Sequence, residues 1–391
     1  MVSGVLARWR LPLLVGAALA VSSTGRFANP FGRNDDPASD AVVWLAIVVG
    51  TVVYTLLVAV VWWAVARLSG RWPEVLLALV VGAAVLAFLV VYPLAGKPAD
   101  ESGYGDADDA LNILADGIVE GFDPYEQTTY EGNRLSPLMG SGLVAVPFRE
   151  TVGSAAYQNP LWLVGAVLVL RRSYGARVAL AITVPVLSSL DFTENYLFGG
   201  DYYISGIAVT LAAYAFVGTV GRRDWVPWVT AVAFGVLTAN RATTLPVLAL
   251  VVAVLFASGR FRAALGPVLV AGLVNLALWV PWWWARMDDF PPLTRVDLIG
   301  PPVARGLALI FLLGVLGWIA AGRWRSKGSD NPVKRLEQGA LLALSGAPSV
   351  VWSPSELYRI TNYLWFAVPR LAAELSARLT IPAEVRDGRG R

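Results

Sequence analysis

Residues 104–133 read YGDADDALNILADGIVEGFDPYEQTTYEGN, with eight carboxylates and no lysine or arginine. The 391-residue chain has no histidine and no cysteine. It therefore lacks the commonest general base and metal ligand, and it can form neither disulfides nor Cys-ligated metal sites. Any catalysis must rest on Asp, Glu, Lys, Arg, Tyr, Ser or Thr. A carboxylate fixed beside a substrate hydroxyl can take its proton in the transition state, which contributes roughly 10²–10⁴ in rate. Asp106, Asp108 and Asp109 are the candidates for that role.

The element that must position them is an amphipathic helix. Leu111, Leu114, Ala115, Ile118, Val119 and Phe122 recur at i, i+3, i+4, i+7, i+8 and i+11, the period of a helix with one apolar face. Asp109, Asn112, Asp116 and Glu120 fall on the opposite face. Asp106 and Asp108 stand where side chains cap the first amides. Gly121 is placed to end the helix, and the following Asp123-Pro-Tyr125 turns the chain away because proline cannot continue it. The structural alternative is that these acids serve only as caps and a solvated face.

The rest of the chain is apolar: 56% hydrophobic and 15% charged, against about 25% charged in an average soluble domain. Apolar runs of membrane-crossing length recur throughout, so the fold class is an all-α polytopic membrane protein. The first run, about 11–23, has the layout of a secretory signal, but a retained span is preferred because everything after it is also membrane-embedded. Further spans are expected near 41–65, 75–95, 155–171, 176–190, 203–221, 225–240, 243–258, 264–284, 303–322, 337–351 and 358–373. Basic residues at 8, 10, 67, 71, 171, 172, 177, 222, 223, 260, 262 and 323–335 then all fall on the cytoplasmic side, as the positive-inside rule requires. This gives about twelve crossings, both termini inside, and no reason to expect a nucleic-acid partner. The segment PLMGSGLVAVPF, 137–148, is too short to span and reads as an interfacial or re-entrant element on the outer face. The organisation is N-terminal spans over 1–96, an extracytoplasmic loop over 97–154, and a completing bundle over 155–391.

The stretches GDADDALNILADGIVEGFDPY (105–125) and GNRLSPLMGSGLVAVPF (132–148) resemble the GT-C superfamily of polytopic glycosyltransferases that use polyprenyl-phosphate-linked sugars. The resemblance implies a GT-C-like bundle whose large outer loop carries the catalytic carboxylate and two juxtamembrane helices, here about 108–121 and 136–148. It places the general base on Asp106, with Asp108 or Asp109 as alternatives. The implied reaction is inverting transfer: the acceptor hydroxyl is deprotonated, its oxygen attacks the anomeric carbon, and polyprenyl phosphate leaves. The leaving phosphate needs a cation. Arg241, in the tight turn TANRATTLP, is the first candidate, because Arg forks onto phosphate oxygens and a charge at a membrane edge is costly to keep without a task. Arg134, Arg295 and Arg359 are further cations expected outside. Tyr125, Asn133, Asp201 and Tyr202 complete the expected substrate site, and Asp106 with Asp201 would hold Mg²⁺ or Mn²⁺ if a metal is used.

The expected partners are the lipid-linked donor, a glycan, lipid or protein acceptor, and membrane lipids, at the plasma membrane. Two other classes stand beside the enzyme. One is a lipid-linked-glycan transporter or flippase, which would carry broken or charged helices at mid-membrane. The other is a non-enzymatic membrane subunit of an envelope complex that docks through the acidic loop.

Overall fold

A computed structural model describes residues 11–17, 19–20, 40–95, 106–287, 289–294 and a few positions between 368 and 376. Among the described residues the chain is all helical, with no strand beyond two isolated bridges. The principal helices are α1 (Asp40–Arg67), α2 (Trp72–Ala95), α3 (Ala107–Glu120), α4 (Met139–Val152), α5 (Gln158–Tyr174), α6 (Ala176–Leu187), α7 (Leu190–Leu197), α8 (Tyr202–Thr219), α9 (Val226–Thr238), α10 (Leu245–Ala257) and α11 (Phe261–Ala285).

Among the described residues, four helical stretches are long and apolar enough to cross a membrane: Ile47–Arg67, Trp72–Leu94, Tyr202–Thr219 and Phe261–Ala285. α1 and α2 bury little of themselves. Leu45, Val48, Val52, Leu56, Leu79 and Leu86 stay exposed on them, as expected of surfaces solvated by lipid rather than water. The spans expected near 303–322, 337–351 and most of 358–373 lie outside the described residues, as do Arg295, Arg359 and the loop residues 96–105.

The expected span at 176–190 falls on α6 and the first residue of α7. α6 and α7 meet at an 83° bend. Pro185 inside α6 lacks the N–H that would bond the carbonyl of Ala181. That carbonyl instead accepts the indole N–H of Trp62 in α1 at 2.9 Å. Ser188 and Ser189 form the corner, and α7 then packs beside the middle of α1 and α2, where the Leu190 amide meets the Tyr54 hydroxyl at 3.2 Å and the Tyr196 hydroxyl meets the Ala84 carbonyl at 3.4 Å.

The basic connections Arg67–Trp72, Arg171–Arg177, Arg222–Trp225 and Arg260–Arg262 gather at one end. Arg171 pairs with Glu74 at 2.6 Å there, and Arg177 donates to the Leu68 carbonyl at 2.6 Å. The opposite end carries α3 and α4, which pack on each other more extensively than any other pair. Gly142 permits this approach, and Gly140 permits that of α4 to the end of α9. A Cβ at Gly140 would strike the backbone carbonyls of Val236 and Ala239, and one at Gly142 would lie 2.8 Å from Leu114 Cβ. The short segment 137–148 is thus a helix wedged between α3 and the α9–α10 turn, held by amide bonds from Leu138 to the Asn240 carbonyl (2.8 Å) and from Gly140 to that of Ala239 (3.0 Å).

Candidate functional site

α3 buries the face that its periodicity marks: Leu111, Leu114 and Ala115 are fully enclosed, although Val119 is exposed. Gly121 ends the helix in the left-handed conformation, its N–H bonded to the Gly117 carbonyl. Asp123 caps the next turn by accepting the Tyr125 amide at 3.0 Å. Tyr125 is buried, donates its hydroxyl to the Pro137 carbonyl at 3.1 Å, and packs edge-on against Phe290 and Trp282. Burial raises its phenol well above the ordinary range, with Asp123 adding to the shift. Tyr125 therefore ties the turn after α3 to the start of α4 and to α11.

The three candidate bases have three different environments. Asp106 occupies the N-cap position but makes no side-chain cap bond, which corrects the expectation that it caps the helix. It is half-buried, and its Oδ2 accepts the Thr129 hydroxyl and, at 2.9 Å, the Asn133 side-chain amide. Asp108 is 6% exposed and accepts the Tyr92 hydroxyl at 2.6 Å, while Tyr92 shares a 2.5 Å bond with Ser154. Burial pushes the Asp108 carboxyl up to about 6, against the lowering effect of the Tyr92 bond. Asp109 is half-buried and accepts the Tyr130 amide at 2.9 Å. Burial raises it also, and the Tyr130 amide opposes the shift.

Both donors to Asp106 come from a small hairpin that was not foreseen. Thr128 bridges Arg134, the Thr129 amide bonds the Asn133 carbonyl at 2.9 Å, and the Gly132 amide bonds the Thr129 carbonyl at 2.7 Å. Gly132 takes φ +76° at the tip, a conformation that favours glycine. The only local signal for this turn in the sequence is that glycine within TTYEGN.

The second cluster lies under the α9–α10 turn. Arg241 is 5% exposed and Asp201 2% exposed. The guanidinium forks onto both carboxylate oxygens, Nε–Oδ2 at 3.0 Å, and lies 4.0 Å over the Tyr202 ring. Its remaining nitrogen reaches Ser136 Oγ at 3.4 Å. Asn240 beside it donates to Ser205 at 3.1 Å and accepts from Ser141. A cavity of about 10 Å³ between Gln158, Asp201, Ser205 and Asn240 is at the lower limit for a single water.

The two clusters are joined through the chain, because Asn133 binds Asp106 while Ser136 and Pro137, three and four residues on, meet Arg241. Four cations belong to this end among the described residues, and each is engaged by a carboxylate: Arg241 by Asp201, Arg134 by Asp289, Arg149 by Asp116, and Arg286 by Asp123 and Glu126. The expected Asp106–Asp201 metal pair does not fit this arrangement, because Asp201 gives both oxygens to Arg241. Among the described residues no group of three or more acids is placed to hold a metal. The sequence did not mark Thr129 or Tyr92, because each acts through a partner far away in the chain.

No protein-family model matches the chain, and no curated protein or solved structure matches it either.

Proposed function

We propose that this protein is a membrane glycosyltransferase of GT-C type, with about twelve crossings in the plasma membrane, that moves a sugar from a polyprenyl-phosphate donor onto an acceptor hydroxyl. The ledge of α3 and α4 faces the extracytoplasmic side, and both termini lie in the cytoplasm. The observation that carries this reading is Asp106: a half-buried carboxylate with one oxygen held by two donors, at the mouth of the ledge and beside a buried Arg–Asp couple. In the reaction, an acceptor O–H gives its proton to Asp106 as its oxygen forms the new bond to the anomeric carbon. The bond from that carbon to the donor phosphate breaks, its electron pair leaves with polyprenyl phosphate, and the configuration inverts.

Among the three candidates, Asp108 is enclosed behind Tyr92, and of the two half-buried acids Asp106 is the one whose single engaged oxygen is gripped by two side-chain donors, so we assign the base to Asp106. Arg241 is spent on Asp201, and its role in this scheme is to fix Ser136 and the entry to α4. Arg295 and Arg359, outside the described residues, are left as candidates for the donor phosphate.

Asp106→Asn is expected to lower transfer of radiolabelled mannose or arabinose from polyprenyl phosphate by roughly 10²–10⁴, with membrane insertion and yield unchanged. Full transfer in that variant would end this assignment. One observation favours a second reading, transport of a lipid-linked glycan: the break between α6 and α7 is the kind of discontinuity transporters use. Movement of a fluorescent lipid-linked glycan across proteoliposomes by Asp106→Asn protein, with no transfer by the wild type, would select it.

A further inference from the structure

We infer that Thr129 and Asn133 are positioning residues that hold Asp106 in one orientation, so that a single carboxylate oxygen, Oδ1, is presented to the acceptor. The inference rests on the proposed role of Asp106 as base. Both donors, the Thr129 hydroxyl and the Asn133 amide, meet Oδ2, and no hydrogen bond among the described residues reaches Oδ1. A carboxylate gripped at one oxygen loses rotation about its Cβ–Cγ bond. The other oxygen then points in a fixed direction, which is the geometric requirement for efficient proton removal.

The grip is itself fixed. Thr129 is 4% exposed although it stands in a loop. Its amide and carbonyl are both bonded within the hairpin, and its hydroxyl oxygen also accepts the Asn133 amide at 3.2 Å. Its hydroxyl hydrogen is therefore left to point at Asp106. The hairpin is tied to α3 a second time, because the Tyr130 amide donates to Asp109 at 2.9 Å. Asp109 thus acts one step further back, by fixing the hairpin against the helix that begins at Asp106. Asn133, expected as a substrate contact from the sequence, turns its amide to Asp106 and Glu131.

The test uses the full-length chain in detergent. The Asp106 carboxylate bands are isolated from ¹³C-aspartate-labelled protein as the infrared difference between wild type and Asp106→Asn. Two donors on one oxygen make the two C–O bonds unequal and widen the gap between the antisymmetric and symmetric stretches. Thr129→Ala and Asn133→Ala are each expected to narrow that gap, and Thr129→Ser to restore it. In transfer assays with polyprenyl-phosphate mannose and arabinose, each alanine variant is expected to lower kcat on the order of tenfold at unchanged KM, with recovery in Thr129→Ser. An unchanged gap overturns the inference. So does a narrowed gap with unaltered kcat, or a rise in KM alone for Asn133→Ala, which would make Asn133 a substrate contact. Wild-type kcat in Asp106→Asn alongside a narrowed gap in Thr129→Ala would instead remove the base assignment and leave the positioning geometry standing.

Discussion

Asp106 and Asp201 stand close together, and both are held by donors, yet they are opposite kinds of acid. Asp201 is sealed, and both of its oxygens are matched by the one guanidinium of Arg241, which itself lies on the Tyr202 ring. Asp106 keeps part of its surface open and is matched only by neutral donors, Thr129 and Asn133. A buried couple with cancelled charge locks the α9–α10 turn to the start of α4 and has no capacity left for a substrate. A carboxylate held by neutral donors at one oxygen keeps the other oxygen free. Residue type alone does not distinguish the two; burial and the charge of the partner do.

The largest expected effect breaks that contrast directly. Asp201→Ala leaves the Arg241 charge buried without its partner, a change that typically costs about 3–5 kcal/mol. The variant should melt far below wild type in detergent or fail to accumulate. Asp106→Ala, which strands only neutral donors near solvent, should melt close to wild type. Equal melting of the two variants would mean that the division into a structural and a chemical acid is wrong.

A smaller effect sharpens the comparison with a third acid. Asp108 is buried like Asp201 but faces a neutral hydroxyl, Tyr92, in place of a cation. Its carboxyl is raised to about 6 by burial. A raised carboxyl contributes stability that is fully present below the ordinary carboxylate range and is lost as pH rises through the folded value. Stability should therefore rise between about pH 7 and pH 4, by on the order of 2 kcal/mol. Asp109 and Glu131 are also raised by burial and shift stability in the same direction. The Asp108 share is the difference between the melting profile of wild type and that of Asp108→Asn, which should be flatter and higher at pH 7. Parallel profiles would show that Asp108 is not the buried acid described here.

Much of this arrangement is written locally in the chain. The face of α3, its glycine stop, the turn at Asp123 and the tight turn at Arg241 all follow from periodicity and from residues with special backbone preferences. The burial of Asp108, taken from the sequence as a cap, was missed although its position marks it. It lies three and seven residues before Leu111 and Ala115, on the apolar stripe, whereas Asp109 heads the polar stripe through Asn112 and Asp116. The partners were not legible. Tyr92 with Asp108, Asp116 with Arg149, and Asp201 with Arg241 are joined by tertiary packing, and no spacing rule connects residues so far apart. The α6–α7 break was hidden for a related reason: Pro185 and two serines inside an apolar run bend a span only because Trp62 is there to satisfy the freed carbonyl. The hairpin at 128–134 carries one glycine and no alternating apolar pattern, so it did not read as structure.

The smallest expected effect concerns what holds that hairpin. Its far end carries Arg134, which forks onto Asp289, with Nη2–Oδ2 at 2.7 Å. Both side chains are exposed, and an ion pair in water gains little because its charges stay hydrated and two long side chains must be ordered, with salt weakening it further. The attachment should therefore come from the neutral bonds at the other end, from Thr129 and Asn133 to Asp106 and from Tyr130 to Asp109. Arg134→Ala is expected to leave melting and transfer rate unchanged at 0.15 M NaCl (an ordinary assay salt, roughly physiological), with a difference emerging only at low salt. If Arg134→Ala lost as much activity as Thr129→Ala at that salt, the exposed ion pair would be what keeps Asp106 oriented. The distinction between acids held by charge and acids held by neutral donors would then fail at the one residue where it matters for chemistry.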